Sequence, residues 1–369
     1  MEPTIRKAWA VVLACLGLGM GGGCSAFPFF GTFRGQVKAD ADARVVADAS
    51  IRGGIEVKLA TAPDPGPMAA IVVRESHSGP GAARIALIDV DGLLLNQNLT
   101  GLYSVGENPV AAFREKLEAA ANDPRVRAVV VRINSPGGGV TACDIMADEL
   151  RRFRTEAGKP VVSCLMDVAT SGALYLAVGA DRVVALPTGL TGGLGSIINH
   201  YNLQDAMAQL NLTSDPVKAG PLIDMGSVTA PLDDGPRALL QELADGYRDR
   251  FRDRIADRRP TMTEADRAAI ADGRVVGASK ARDLHLVDTL GYVHEAIAEA
   301  EALGGATGSE VVIFQRSGYP THSIYAITPN APVQGEIVPF SYPGLDRNKA
   351  PTFLYLWQPD PTIFRQAGR

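Results

Sequence analysis

Three near-continuous aliphatic runs, Ile85–Val90, Ala128–Ile133 and Val161–Met166, constrain this chain more than any other feature, because amphipathic stretches separate them. Short runs apolar at successive positions read as strands buried on both faces, and such strands belong to parallel sheets covered by crossover helices. The intervening stretches, Pro109–Ala121 and Thr141–Thr155, carry apolar residues at helical spacing, and Asp181–Leu186 reads as a further short strand. The expected fold is therefore α/β, a parallel sheet covered by helices, with loops gathered at the carboxyl ends of the strands where sites in such folds form.

Of the 369 residues 46% are hydrophobic, enough to fill a sizeable core. The net charge of −5 arises from 36 basic and 41 acidic residues with no long basic block, which excludes a nucleic-acid footprint. Arg6 and Lys7 precede an uncharged run, Ala8–Met20, that leads to Gly21-Gly22-Gly23-Cys24. That pattern is an export signal, so residues 1–24 are set apart from the fold. Three fates stay open: lipidation of Cys24, an uncleaved anchor reaching to Phe33, or cleavage and secretion. Either of the first two tethers the chain to a membrane. Cys143 and Cys164 lie in apolar surroundings and read as core thiols, and no CxxC or Cys/His spacing calls for a metal or cofactor.

Residues 25–82, rich in Ala, Asp, Gly and Pro, read as a linker with a possible short strand at Ala69–Val73. The compact domain is expected over 83–303. Glu242–Arg259 and Thr263–Ala271 read as helices, the first so charged that a solvated face is its simplest role, with an oligomer contact as the alternative. Residues 304–369 form a Pro- and aromatic-rich tail in which Leu354-Tyr355-Leu356-Trp357 has three open destinations: the domain, a neighbouring subunit or the membrane interface.

Two short segments carry chemistry. Ser135-Pro136-Gly137-Gly138-Gly139 follows a strand and precedes a helix, so its glycines let backbone N–H groups converge on an oxyanion, or serve only a tight turn. Ser171, in Ala169-Thr170-Ser171-Gly172-Ala173-Leu174-Tyr175, again lies between strand and helix. Its hydroxyl is placed either as a nucleophile or as a helix cap, Thr170 being a second capping candidate.

Together, Arg132-Ile133-Asn134-Ser135-Pro136-Gly137-Gly138 and Ala169–Tyr175 resemble the two signature stretches of the signal peptide peptidase A family, peptidase family S49. Further similarity lies in Leu186–Gly192, Ala271–Gly277 and Leu286–Tyr292, so it covers residues 83–302. The resemblance implies a ClpP/crotonase-like fold of repeated β-β-α units, a ring-like homo-oligomer, and membrane attachment in the bacterial envelope, at the outer face of the cytoplasmic membrane or in the periplasm. It also implies hydrolysis of remnant signal peptides by a Ser/Lys dyad. Carried over by position, Ser171 matches the nucleophile and Gly137 and Gly138 the oxyanion loop.

The dyad's other half departs from the pattern. In Gly220-Pro221-Leu222-Ile223-Asp224-Met225-Gly226 the base position holds Ile223, and the serine that supports the family's lysine is matched by Gly193. Isoleucine accepts no proton. Lys218 and His200 are the candidate substitute bases; the alternative is a degenerate site on a peptide-binding scaffold.

Overall fold

A computed structural model describes residues 67–316, except 77, 78, 80, 98, 102 and 103, and residues 353–357. The export signal with Cys24 lies outside the described residues. The first half of the chain contains β1 (Ala69–Arg74), β2 (Arg84–Asp91), the hairpin β3 (Leu99–Gly101) and β4 (Ser104–Glu107), α1 (Pro109–Asn122), β5 (Val126–Ser135), β6 (Gly137–Gly139), α2 (Val140–Glu156), β7 (Val161–Thr170), α3 (Gly172–Ala177), β8 (Arg182–Ala185) and β9 (Leu190–Gly192). The second half contains α4 (Gln204–Gln209), α5 (Asp234–Arg258), α6 (Glu264–Ala268), β10 (Val275–Gly277), α7 (Ala278–Asp283), β11 (Thr289–Leu290), α8 (Val293–Gly304), β12 (Glu310–Gln315) and β13 (Leu354–Leu356).

Among the described residues nine strands form the main sheet, in the order β1-β12-β2-β5-β7-β8-β11, with β9 beside β7 and β10 beside β9. The pairs from β12 through β11 are parallel, as is β7 with β9, whereas β1 runs antiparallel to β12 and β10 to β9. Alternation along β2 distributes the core: Ala86, Ile88 and Val90 pack on one face with residues of α1, α2 and α3, while Ile85 and Leu87 pack on the other with Val293, Ala296, Ile297 and Ala300 of α8. Burial on both faces explains why the strands read as near-continuous apolar runs. The two charges that interrupt them neutralise each other: Asp89 and Arg132 are register partners, and Arg132 Nε donates to Asp89 Oδ1 at 2.7 Å. The order β5–β6–α2 gives the β-β-α unit of a ClpP/crotonase-like fold.

Three expectations change. The domain does not begin at Ala83 or end at residue 303, because β1 and β12 lie in the main sheet on either side of those limits. The charged helix starts at Asp234, not Glu242; Gly235 and Pro236 obscured its first turn, where a missing N–H costs nothing. Its charge is also not wholly solvated, since Arg254 Nε donates to the Tyr175 carbonyl (2.8 Å) and Arg258 to those of Gly179 (3.0 Å) and Ala180 (3.3 Å), at and just beyond the end of α3.

At the start of α1, Asn108 Oδ1 accepts the Val110 (2.9 Å) and Ala111 (3.3 Å) amides, and Pro109 supplies a preset first residue. At and just past its end, Lys159 Nζ donates to the carbonyls of Ala120 (2.7 Å), Ala121 (2.9 Å) and Asp123 (2.9 Å). Burial lowers the pKa of this ammonium below the usual lysine range. Lys159→Met keeps the stem and removes three charge-assisted bonds, so urea unfolding should show a loss of about 2 kcal/mol; an unchanged midpoint would mean that water replaces the ammonium without loss.

Candidate active site

The site is built where β7 outruns one neighbour and takes another. Val162–Leu165 pair with β8, and Val168–Thr170 pair with β9, which carries the strand end past the sheet to Ser171. There the backbone turns into α3 with Ser171 at φ 53° and ψ −117°, a left-handed conformation that a side chain makes unfavourable. Two bonds hold it: the Ser171 amide donates to the Gly192 carbonyl (2.8 Å), and the Ser171 carbonyl accepts from Tyr175 N (2.9 Å). Ser171 makes no side-chain cap bond, which removes the capping role for that hydroxyl. It is 1% exposed, and its Oγ has no hydrogen-bond partner among the described residues.

The glycine segment lies beside it. After Pro136 the chain leaves the main sheet as β6, which bridges in parallel to Leu94 on one side: Leu94 N donates to the Gly137 carbonyl (3.0 Å) and Gly139 N to the Leu94 carbonyl (2.9 Å). Gly138 is obligatory in this contact, since a β-carbon there would lie 2.0 Å from the Leu94 carbonyl oxygen. A β-carbon on Gly137, at φ 104°, would lie 2.8 Å from the Gly172 amide nitrogen, so loop and serine turn meet. The Gly137 amide is already held by Ser135 Oγ (3.0 Å). Of the two expected oxyanion glycines, Gly137 therefore has its amide engaged and Gly138 is the register partner of Tyr355 in β13, while the Gly172 amide opens α3 next to Ser171, a residue that sequence reasoning did not single out.

The other side of β6 is occupied by the chain's own tail. Register pairs Leu354 with Gly139, Tyr355 with Gly138 and Leu356 with Gly137, antiparallel. The far edge of the same strand exchanges two bonds with Ile197, each 2.9 Å. Of the three destinations open to Leu354–Trp357, the domain is the one taken. Tyr355 is fully buried, with ring centroids 5.3 Å from Tyr175 and 5.1 Å from Phe251, and its hydroxyl donates to the Tyr247 carbonyl. Burial, followed by the hydrogen bond to Asp144, pushes the Tyr175 phenol up to about 12, so it stays a donor.

The candidate bases each have another partner. Lys218 Nζ is paired with Asp224 (3.0 Å) on the surface, and His200 Nε2 is bonded to the Ser227 carbonyl (3.0 Å). Ile223 is 77% exposed. Gly193, by contrast, lies beside Ser171: a β-carbon on it would lie 3.3 Å from the Ser171 amide nitrogen. Cys143 and Cys164 are both free and buried, and burial raises both thiols, Cys164 to about 12. They are inert core residues.

A strained serine at a strand-to-helix turn, facing a glycine strand on a mostly parallel α/β sheet, is the geometry that a serine nucleophile would need. Residues 154–307 match the profile of peptidase family S49. Over 223 residues the chain is 34% identical to protease 4 of Salmonella typhi, covering 59% of this chain and 34% of that protein. Over 221 residues it is 28% identical to a putative signal peptide peptidase SppA of Enterococcus faecium, covering 60% of this chain and 64% of that one. The match thus spans about a third of the first relative and under two thirds of the second. Among solved structures, a 1510-N membrane-bound stomatin-specific protease aligns over 64% of this chain and all of its own, at 12% identity and a TM-score of 0.42. Over part of its length the chain is thus similar to signal peptide peptidase A-like members of family S49.

Proposed function

We propose that the chain is a serine endopeptidase of the signal peptide peptidase type, cleaving apolar extended peptides, remnant signal peptides among them, with Ser171 as nucleophile. The observation that carries this reading is the backbone of Ser171. A left-handed serine costs about 1–3 kcal/mol, and here the strain holds a hydroxyl that has no partner among the described residues at the opening of α3, next to the Gly172 amide. Ser171 Oγ attacks the scissile carbonyl carbon, its proton passes to a neutral base, and the Gly172 amide, joined by that of Gly138 once β13 has left, receives the charge on the oxygen.

Among the described residues no base is bonded to Ser171 Oγ, so this reading takes the base from a neighbouring copy. Leu210, Leu212, Val217 and Ile223 expose an apolar arm around Lys218, which supports a homo-oligomer ring in which a neighbouring copy covers the arm. Lys218, freed from Asp224 and desolvated there, is the base this reading favours. Lys218→Ala should lower turnover by about 10²-fold or more, whereas His200→Ala should leave it within a few-fold. The reverse order in a fluorogenic peptide assay would transfer the role to His200.

A second reading, a peptide-binding scaffold without turnover, is favoured by the unpartnered Ser171 Oγ together with Ile223 and Gly193 at the dyad positions. A fluorophosphonate probe and a labelled apolar peptide, applied to the full chain, separate the two. Labelling at Ser171 with cleavage supports the peptidase, binding without labelling supports the scaffold, and the absence of both overturns both.

Attachment in the bacterial envelope belongs to the same proposal and rests on the N-terminal segment; among the described residues no helix is long and apolar enough to cross a membrane. Fatty-acid labelling that is lost in Cys24→Ser would establish the lipid tether.

A further inference from the structure

We propose that the tail strand β13 is a built-in occupant of the peptide slot, an autoinhibitory segment anchored by Tyr355 that an incoming peptide must displace. This rests on the peptide-binding reading above and extends it to regulation. The strand is central, not peripheral: Val140 N donates to the Phe353 carbonyl (3.2 Å) and Trp357 N to the Pro136 carbonyl (3.0 Å) on one edge, and Ile197 bonds Leu354 on the other. Without residues 353–357, β6 and Ile197 would face each other across a gap one strand wide, with their backbone groups unpaired. Such a gap is the geometry in which extended peptides add as a strand, with main-chain bonds giving affinity and a side-chain pocket giving selectivity.

The occupant is seated as a substrate would be. The Tyr355 carbonyl oxygen would lie 2.0 Å from a β-carbon on Gly137 and 3.0 Å from one on Gly172, so a peptide carbonyl stands between the glycine segment and the serine turn. Its side chain fills the pocket of Tyr175 and Phe251, and the Tyr247 carbonyl accepts its hydroxyl, which selects tyrosine over an aliphatic residue at that point. Leu354 follows Gln315, the end of β12, by 39 positions, so the segment is tethered to its own site. A tether of that kind sets an effective concentration on the order of millimolar, against which a free peptide competes.

Hydrogen exchange on the full-length protein tests the displacement directly. A synthetic peptide with the sequence of Pro351–Pro361, added at millimolar concentration, should speed exchange of the chain's own Leu354–Trp357 amides about tenfold or more while Gly138–Val140 stay protected. The same peptide with alanine in place of its tyrosine should leave the exchange of Leu354–Trp357 unchanged. Unchanged protection of Leu354–Trp357, or its loss together with that of Gly138–Val140, would overturn the proposal. In a second arm, Tyr355→Ala in the full chain should bind the fluorescein-labelled peptide at least about tenfold more tightly than wild type, and equal affinity counts against the proposal. Because Tyr355 lies in the core, the wild-type exchange result decides if that variant does not fold. Failure of Ser171 to react with a fluorophosphonate bears on the peptidase reading alone and leaves both arms intact.

Discussion

Ser171→Ala should abolish fluorophosphonate labelling and lower peptide turnover by about 10⁴-fold or more, because removing a nucleophile leaves only the contribution of binding and the oxyanion donors. The variant keeps the turn, since the bonds that hold it run through the Ser171 amide and carbonyl, not through Oγ. It should therefore fold and still bind peptide. Ser171→Gly separates chemistry from strain. Glycine adopts φ 53° without the side-chain penalty, which returns about 1–3 kcal/mol and is partly offset by the extra freedom glycine gives the unfolded chain. A variant that is inactive yet melts a few degrees higher than wild type is the expected signature of a strained catalytic residue. Equal labelling of wild type and Ser171→Ala would remove Ser171 from the mechanism.

Gly138→Ala should destabilise the domain by more than about 4 kcal/mol, enough to lower the melting temperature by roughly 10 °C in a domain of this size. The added methyl would meet the Leu94 carbonyl oxygen at 2.0 Å and the Leu94 nitrogen at 2.6 Å. Both are backbone atoms hydrogen-bonded to β6, so neither moves without opening the small sheet that lines the slot. Gly246, inside α5 with nothing within 4 Å of an added β-carbon, provides the contrast: Gly246→Ala should stabilise by about 0.5–1 kcal/mol. Equal melting of wild type and Gly138→Ala would mean that Leu94 and β6 are not in contact in solution.

Legibility in the sequence followed the range of the interactions. The buried strands were visible because burial on both faces leaves unbroken aliphatic runs, and Ser171 and Gly137–Gly138 because a strand-to-helix turn needs few residues to specify it. β12 was missed, although Val311-Val312-Ile313-Phe314 is as apolar as the strands found, because it follows α8 inside what composition marks as a tail. Leu94 and Ile197 contribute one isolated bridge each, and a single bridge leaves no period to detect.

The amino-acid pattern alone determined the α/β class, the glycine and serine segments, and that Ile223 and Gly193 stand where the motif resemblance expects a lysine and a serine. Each of these is written in contiguous residues, where periodicity and side-chain chemistry act locally. Only the tertiary structure decided that Ser171 is strained and uncapped, that the Gly137 amide is already taken by Ser135, and that the tail returns to complete the strand beside Gly138. Those outcomes depend on which backbone edge meets which across long separations in the chain, and a backbone hydrogen bond carries no side-chain signature from which its partner can be read.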